Sequence, residues 1–202
     1  MAIIVVGGGG RGAGKTALVC GLMRALLEIP WIAVKITTHE HGKPAPIWEE
    51  TEPGEGTDTS RYLAAGALRS LLVTAGEDAL GSGDDTLGPI VQQILRECLP
   101  PAGAIKAGTV NEGAIRAGVI FESNSVLRHL RPDVCLCAAT SPWVHEKASY
   151  NLVSQHMDAM VELAGHDHII EAEKITFRLA SMERVSPTML EWLRERLGDR
   201  LP

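Results

Sequence analysis

The sequence predicts an α/β protein in which a mostly parallel β-sheet is flanked by helices, in three layers. Short apolar runs alternate with helix-forming segments along the chain, which is typical of parallel strands joined by right-handed crossovers. The first apolar run, at residues 3–6, is followed by a glycine-rich turn and then by a helix-forming run at 17–27. Because the chain has 202 residues, we expect a single domain spanning residues 1–202.

The apolar runs and turn residues predict the order of the elements. Core strands are expected at residues 2–6, 31–36, 69–74, 117–121 and 133–139, with a short strand at 169–170 and an edge strand at 176–179. Helices are expected at residues 15–28, 58–67, 86–98, 123–130, 145–163 and 186–197. Residues 37–57 and 81–85 are predicted to be loops, and residues 102–116 a loop or a broken helix. A loop as long as 37–57 is usually functional.

Composition limits the classes of protein to consider. The net charge of −6 lacks the basic excess of a nucleic-acid binder, so no nucleic-acid partner is expected. Apolar runs stay well short of the ~20 residues that cross a bilayer, and the chain opens on a strand without a signal peptide. We therefore expect a cytoplasmic protein with no membrane partner. Its four cysteines lack metal-ligand spacing and are predicted to be buried free thiols, with Cys135 and Cys137 on one face of a strand.

Residues 9–16 read GGRGAGKT and fit the phosphate-binding loop pattern G-x-x-x-x-G-K-[ST] at every fixed position. In such a P-loop, backbone N–H groups cradle the phosphates, Lys15 reaches the β- and γ-phosphates and the Thr16 hydroxyl binds Mg²⁺. A glycine-rich turn without a ligand is the alternative, but strand, loop, Lys-Thr and helix occur in the required order. The predicted nucleotide-binding residues are Gly9, Gly10, Arg11, Gly12, Ala13, Gly14, Lys15, Thr16 and Ala17. The expected ligand is ATP or GTP with Mg²⁺, and the base is left open because the sequence has no N/T-K-x-D run of the kind that selects guanine.

Polar residues at the carboxyl ends of the other strands are expected to meet this loop, because ligands of parallel sheets bind there. Glu122 ends a core strand and would position Mg²⁺ or a water molecule, which makes it the second catalytic candidate beside Lys15. Lys35 would contact a phosphate or a substrate anion, or else extend to solvent. Asp58 would join Thr16 and Glu122 around Mg²⁺, cap its helix, or both. His39 and His41 would bind a metal or phosphate, or be solvated.

Three segments of the sequence resemble the MobB family, the adapter proteins of molybdopterin-guanine dinucleotide biosynthesis. The first is the P-loop, which lies close to residue 1. The second is residues 33–39, which are similar to the family's V-x-x-I-K-H-x-H-H segment. Residues 56–61, followed by 65–67, resemble its G-x-D-S-x-R…A-G-A run, and the strand ending at Glu122 stands where the family has V-x-V-E-G. The resemblance implies a P-loop nucleoside triphosphate hydrolase fold, a nucleotide–Mg²⁺ site of Lys15, Thr16, Asp58 and Glu122, and a partner enzyme in molybdenum cofactor assembly.

The leading functional hypothesis is therefore a Mg²⁺-dependent nucleotide-binding protein with weak NTPase activity that serves as an adapter in cofactor biosynthesis. One alternative is a small-molecule kinase that transfers the γ-phosphate to a metabolite, a reaction that usually needs several arginines over the transferred group. The candidate arginines are Arg61, Arg69, Arg116, Arg128 and Arg131. Another alternative is a non-catalytic nucleotide-dependent switch acting through residues 37–57. A homodimer is a further possibility, because helices that carry Met and Leu side chains could be covered by a second copy of the chain.

Overall fold

The computed structural model describes residues 1–37, 46–75, 86–98, 117–139, 149–164, 168–170 and 174–201. The predictions for His39, His41, Arg116, 81–85 and 102–116 lie outside these ranges. The strands are β1 (Ile3–Gly8), β2 (Trp31–Thr37), β3 (Ile47–Glu50), β4 (Arg69–Thr74), β5 (Gly118–Glu122), β6 (Val134–Ala139), β7 (Ala159–Leu163), β8 (His168–Ile170) and β9 (Ile175–Leu179). The α-helices are α1 (Lys15–Ala25), α2 (Asp58–Ala64), α3 (Leu87–Cys98), α4 (Tyr150–His156) and α5 (Pro187–Leu197).

The described strands form one mostly parallel sheet, as predicted, in the order β3-β4-β2-β5-β1-β6-β7-β9-β8. Only the two edge strands, β3 and β8, run antiparallel to their neighbours. β5 lies between β1 and β2, and its last residue, Glu122, is paired with Val6 of β1 and Lys35 of β2. The carboxyl ends of these three central strands therefore meet at one edge of the sheet.

Helices pack on both faces of the sheet because successive side chains of a buried strand point to opposite faces. Along β1, Ile4 and Val6 belong to a buried cluster with residues of α1 and α5. Val5, between them, belongs to a second cluster with residues of α3 and α4. The prediction of an α/β protein with helices flanking a mostly parallel sheet is thus confirmed for the described residues.

The predicted helix over residues 145–163 is wrong in its second half. Helix α4 ends at His156, Met157 has an extended backbone, and the chain then forms β7. Ala159 and Val161 are buried while Met160 and Glu162 are partly exposed, which is the alternation of a strand rather than of a helix. Pairing of β7 with β6 and β9 satisfies its backbone groups on both sides, and this tertiary pairing overrides local helix propensity.

Smaller differences concern element ends and edges. Residues 37–57 were expected to be irregular, yet they contain β3, which pairs with β4. The expected edge strand at 176–179 is β9, which lies between β7 and β8. The expected helix over 123–130 is a shorter 3₁₀ turn, Ser125–Arg128, and the helix expected over 58–67 already ends at Ala64. In the described parts of the chain, no helix is long and apolar enough to cross a membrane.

All four cysteines are buried and free, as predicted. Burial raises the pKa of the Cys20, Cys98 and Cys137 thiols to about 11 and that of Cys135 to about 12. Because the thiolate is the reactive form, we expect iodoacetamide at about pH 8 to modify the native protein very slowly and the guanidinium-unfolded protein rapidly at all four sites. Mass spectrometry of timed samples measures this. Rapid native modification of any one cysteine would contradict its burial.

Candidate functional site

A tight loop joins the end of β1 to the start of α1 and carries the phosphate-binding pattern. Gly12 and Gly14 have φ values of 74° and 81°, in the left-handed region that glycine adopts without strain. The first N–H groups of α1 have no partner within the helix, and the helix dipole adds positive potential at this end. The Lys15 ammonium lies over the loop, where it donates to the Gly10 carbonyl oxygen at 2.6 Å.

A cavity of about 490 Å³ opens beside this loop. Its walls come from the loop, from the ends of β2 and β5 and from α2, so the sheet edge and the loop face a common space. Of the predicted site residues, Gly9 alone does not line it. The lining residues are Gly8, Gly10, Arg11, Gly12, Ala13, Gly14, Lys15, Thr16, Ala17, Lys35, Ile36, Thr37, Asp58, Arg61, Glu122, Ser123, Asn124, Ser125 and Ser149.

The Thr16 hydroxyl lies between the two predicted carboxylates. Its Oγ1 is 3.0 Å from Asp58 Oδ1 and 2.8 Å from Glu122 Oε2. A hydroxyl has a single hydrogen, so Thr16 donates to one carboxylate at a time while its oxygen stays in contact with both. The structure thus brings together the three residues predicted to surround Mg²⁺.

Lys35 forms ion pairs with the same two carboxylates. Its ammonium is 2.9 Å from Asp58 Oδ2 and also donates to Glu122 Oε1. The Lys35 side chain is 19 % exposed and that of Glu122 only 2 %. Burial disfavours the ammonium, but the charges of Glu122 and Asp58 outweigh it and raise the Lys35 pKa above its ordinary value. For Asp58, likewise, burial is outweighed by Lys35 and the pKa is lowered. Lys35 is therefore a charged partner of both acids.

Tyr62 completes the surroundings of Glu122 and was not identified as a site residue from the sequence. Its buried hydroxyl donates to Glu122 Oε2. Burial, reinforced by the Glu122 charge, raises the Tyr62 pKa well above its ordinary value, so the phenol remains a donor. The two oxygens of Glu122 thus accept from Lys35, Thr16 and Tyr62. Tyr62 follows Asp58 by four residues on α2, a spacing that puts both on one face of a helix and would have indicated it.

Helix α2 is capped by Thr57 and not by Asp58, the cap considered from the sequence. Thr57 Oγ1 accepts from the Ser60 N–H at 3.1 Å, and Ser60 Oγ accepts from the Thr57 N–H at 3.0 Å. This reciprocal pair satisfies two backbone donors at the start of the helix. Asp58 is consequently not needed as the cap, and its carboxylate faces Thr16 and Lys35.

Asn124 fixes the beginning of the loop, a role that the sequence did not reveal. Its Oδ1 accepts from the Gly8 N–H at 2.9 Å and its Nδ2 donates to the Gly8 carbonyl oxygen at 3.0 Å. Nδ2 also donates to Ser149 Oγ at 3.2 Å. The side-chain amide therefore extends the pairing of β1 to Gly8, two residues beyond the last backbone pair of β1 and β5, Val6 with Glu122. The position of Asn124 just after β5 is the sequence feature that could have indicated this role.

Of the arginines considered for a kinase, the four that the structure describes are not gathered over the loop. Arg61 lines the cavity, but its guanidinium pairs with Glu183 at 3.0 Å and Glu55 at 3.5 Å. Arg69 forms a bidentate pair with Glu49. Arg128 and Arg131 do not line the cavity. Among the described residues, Arg11 is the other arginine that does, from within the loop itself.

No family model and no curated protein matches this sequence.

Proposed function

We propose that this protein binds a nucleoside triphosphate together with Mg²⁺ and hydrolyses it slowly. The observation that carries the proposal is the contact of the Thr16 hydroxyl with both Asp58 and Glu122 at the first turn of α1. A hydroxyl and an acidic residue of a neighbouring strand are the protein groups that P-loop enzymes use to hold Mg²⁺ beside the phosphates.

The phosphate side of the site rests on the loop and on Lys15. Backbone N–H groups at the start of α1, the helix dipole and the Lys15 ammonium together favour an anion in the cavity. Gly12 and Gly14 let the backbone turn closely around such a group. The overall charge of −6 does not oppose this, because the positive potential is local to the loop.

The metal side of the site fits Mg²⁺ by its donor chemistry. In the described ranges no group of three or more His, Cys, Asp or Glu side chains is placed to hold a metal ion. The set here is two carboxylates and one hydroxyl, and Mg²⁺ is usually bound by one or two carboxylates plus substrate phosphates. Thr16, Asp58 and Glu122 would hold the ion, which when bound neutralises charge on the phosphates.

Slow hydrolysis is proposed because Glu122 is not available as a general base. Both of its oxygens already accept hydrogen bonds, and the side chain is 2 % exposed. The cavity arginine of α2, Arg61, is held by two glutamates. Unassisted P-loop enzymes hydrolyse nucleotide on the order of 10⁻³ s⁻¹, and we expect a similar rate. The same arginine pairing makes phosphoryl transfer to a metabolite less well supported.

We propose that the protein acts in molybdenum cofactor assembly, together with a partner enzyme. This proposal rests on the resemblance of residues 33–39, 56–61 and 65–67 to MobB proteins. The segment 56–61 contains Asp58 and Arg61, both of which line the cavity. The proposed adapter role follows from that resemblance and not from the geometry.

Equilibrium binding of ATP and GTP, with Mg²⁺ and with EDTA, tests the proposal. We expect Lys15→Ala to weaken binding by about 10- to 150-fold, because a charge-assisted hydrogen bond contributes about 1.5–3 kcal/mol. Lys174→Ala is the matched control, since Lys174 donates to the carbonyls of Ser154 and Met157 and does not line the cavity. If the native protein bound neither nucleotide, or if Lys15→Ala bound as well as the native protein, the proposal would be wrong.

A further inference from the structure

Lys35 occupies the side of the carboxylate pair that Thr16 leaves open. Asp58 Oδ1 and Glu122 Oε2 face the Thr16 hydroxyl, while Asp58 Oδ2 and Glu122 Oε1 face the Lys35 ammonium. Both ion pairs of these acids within the described residues are made with Lys35. A single ammonium therefore balances the carboxylates that would hold Mg²⁺.

A metal ion and the Lys35 ammonium cannot both interact with these two carboxylates as strongly as either cation would alone. Each acid would be shared between two cations, in a site where Glu122 is nearly inaccessible to water and screening is weak. The backbone of Lys35 is fixed, because β2 is paired on both sides by β4 and β5. The four-carbon side chain is flexible, however, and it lines the same cavity as the P-loop. The ammonium can thus move toward a bound phosphate without a change in the fold.

We propose that Lys35 is a built-in counter-cation that competes with Mg²⁺ for Asp58 and Glu122 and transfers its ion pair to the nucleotide phosphates when Mg²⁺ binds. The inference rests on the proposed nucleotide function and adds a regulation of that site. Metal alone binds poorly, because it would leave the ammonium without an anion. Metal and nucleotide bind cooperatively, because the phosphates accept the ammonium that leaves the carboxylates.

Removal of the ammonium has two expected effects of opposite sign. Lys35→Met frees both carboxylates, so the affinity for metal alone rises by about 5- to 150-fold, the usual range for coupling between two sites. In EDTA the same variant binds nucleotide more weakly than the native protein, because unbalanced carboxylates then repel the phosphates. A lysine with a purely structural role would lower stability without raising the affinity for metal.

The test measures Mn²⁺ binding by electron paramagnetic resonance, with Mg²⁺ as competitor, in the full chain without nucleotide. Lys174→Met removes the same charge outside the cavity and is expected to bind metal as the native protein does. Lys35→Arg keeps the charge and is expected to keep the low affinity. Binding of ATP and GTP in EDTA and in Mg²⁺ is measured on the same samples. Lys35→Gln, which keeps a donor without a charge, is used as well in case Lys35→Met folds poorly.

The outcomes separate this inference from the proposed function. If the native protein binds no nucleotide, the proposed function fails. If it binds nucleotide but Lys35→Met and Lys35→Gln bind metal no more tightly than the native protein, only the competition is overturned. Should both variants fold only when Mg²⁺ is present, the metal has taken over the charge of the ammonium and the proposal is supported. Failure of both to fold even with Mg²⁺ would contradict it.

Discussion

Replacement of Glu122 with alanine is expected to lower the free energy of unfolding by about 3–5 kcal/mol, the usual cost of removing one partner from a buried ion pair. The Glu122 side chain is 2 % exposed and accepts from Lys35, Thr16 and Tyr62. Its loss leaves the buried Tyr62 hydroxyl without its acceptor and Lys35 with Asp58 alone. The remaining space is lined by polar groups, which cannot close over it favourably.

Urea unfolding followed by circular dichroism measures the effect. Glu28→Ala is the matched control, because Glu28 pairs with Arg194 at 3.0 Å on the surface, where such pairs contribute about 0–1 kcal/mol. Glu122→Gln keeps the shape and an acceptor and is expected to fall between the two. If Glu122→Ala were as stable as Glu28→Ala, the buried cluster around Glu122 would not exist in solution.

The local parts of the site could be predicted from the sequence because their causes are local. A strand, a glycine-rich loop and a helix within residues 3–25 are sufficient to define the loop and the place of Thr16. A carboxylate at the end of an apolar run was likewise sufficient to single out Glu122. The arrangement of strands is a different matter, because β5 enters between β1 and β2 from far along the chain. That insertion sets Glu122 beside Lys35, across 87 residues of sequence.

The two interpretations of Lys35 illustrate what the sequence could not predict. We expected Lys35 either to contact a phosphate or to be solvated, and neither interpretation includes an ion pair with two acids, because the sequence does not say which strands are neighbours. The wrong helix prediction for β7 has the same cause. Residues 159–163 resemble the end of a helix in the sequence, and they form a strand because β6 and β9 pair with them. Tyr62, by contrast, was accessible to sequence reasoning, since its place follows from Asp58 and the period of a helix.

Gly8→Val is expected to cost about 1–3 kcal/mol of stability and to weaken nucleotide binding more than tenfold. A Cβ at this position would be 2.6 Å from the Ala138 carbonyl oxygen, part of the backbone of β6, which pairs with β1. It would also meet the Ala13 Cβ and the Lys15 Cδ at 3.4 Å, so the larger valine side chain would press on the loop itself. Relief requires a shift of the Gly8 or the Ala138 backbone, and a shift of Gly8 strains both of its hydrogen bonds to Asn124.

Gly56→Val is the control that isolates this clash, because a Cβ at Gly56 would meet no atom within 4 Å. Both substitutions remove the backbone freedom of one glycine and add the same side chain, so their difference reports the space beside β6. Urea unfolding gives the stability and equilibrium binding of ATP and GTP gives the affinity. Because the clash involves both the strand and the loop, we expect Gly8→Val to lose affinity even at temperatures where it remains folded. Equal affinities for the two variants would show that the loop tolerates displacement of Gly8, the residue of β1 that precedes it, and the close packing of β1 on β6 would then have no role in holding the phosphates.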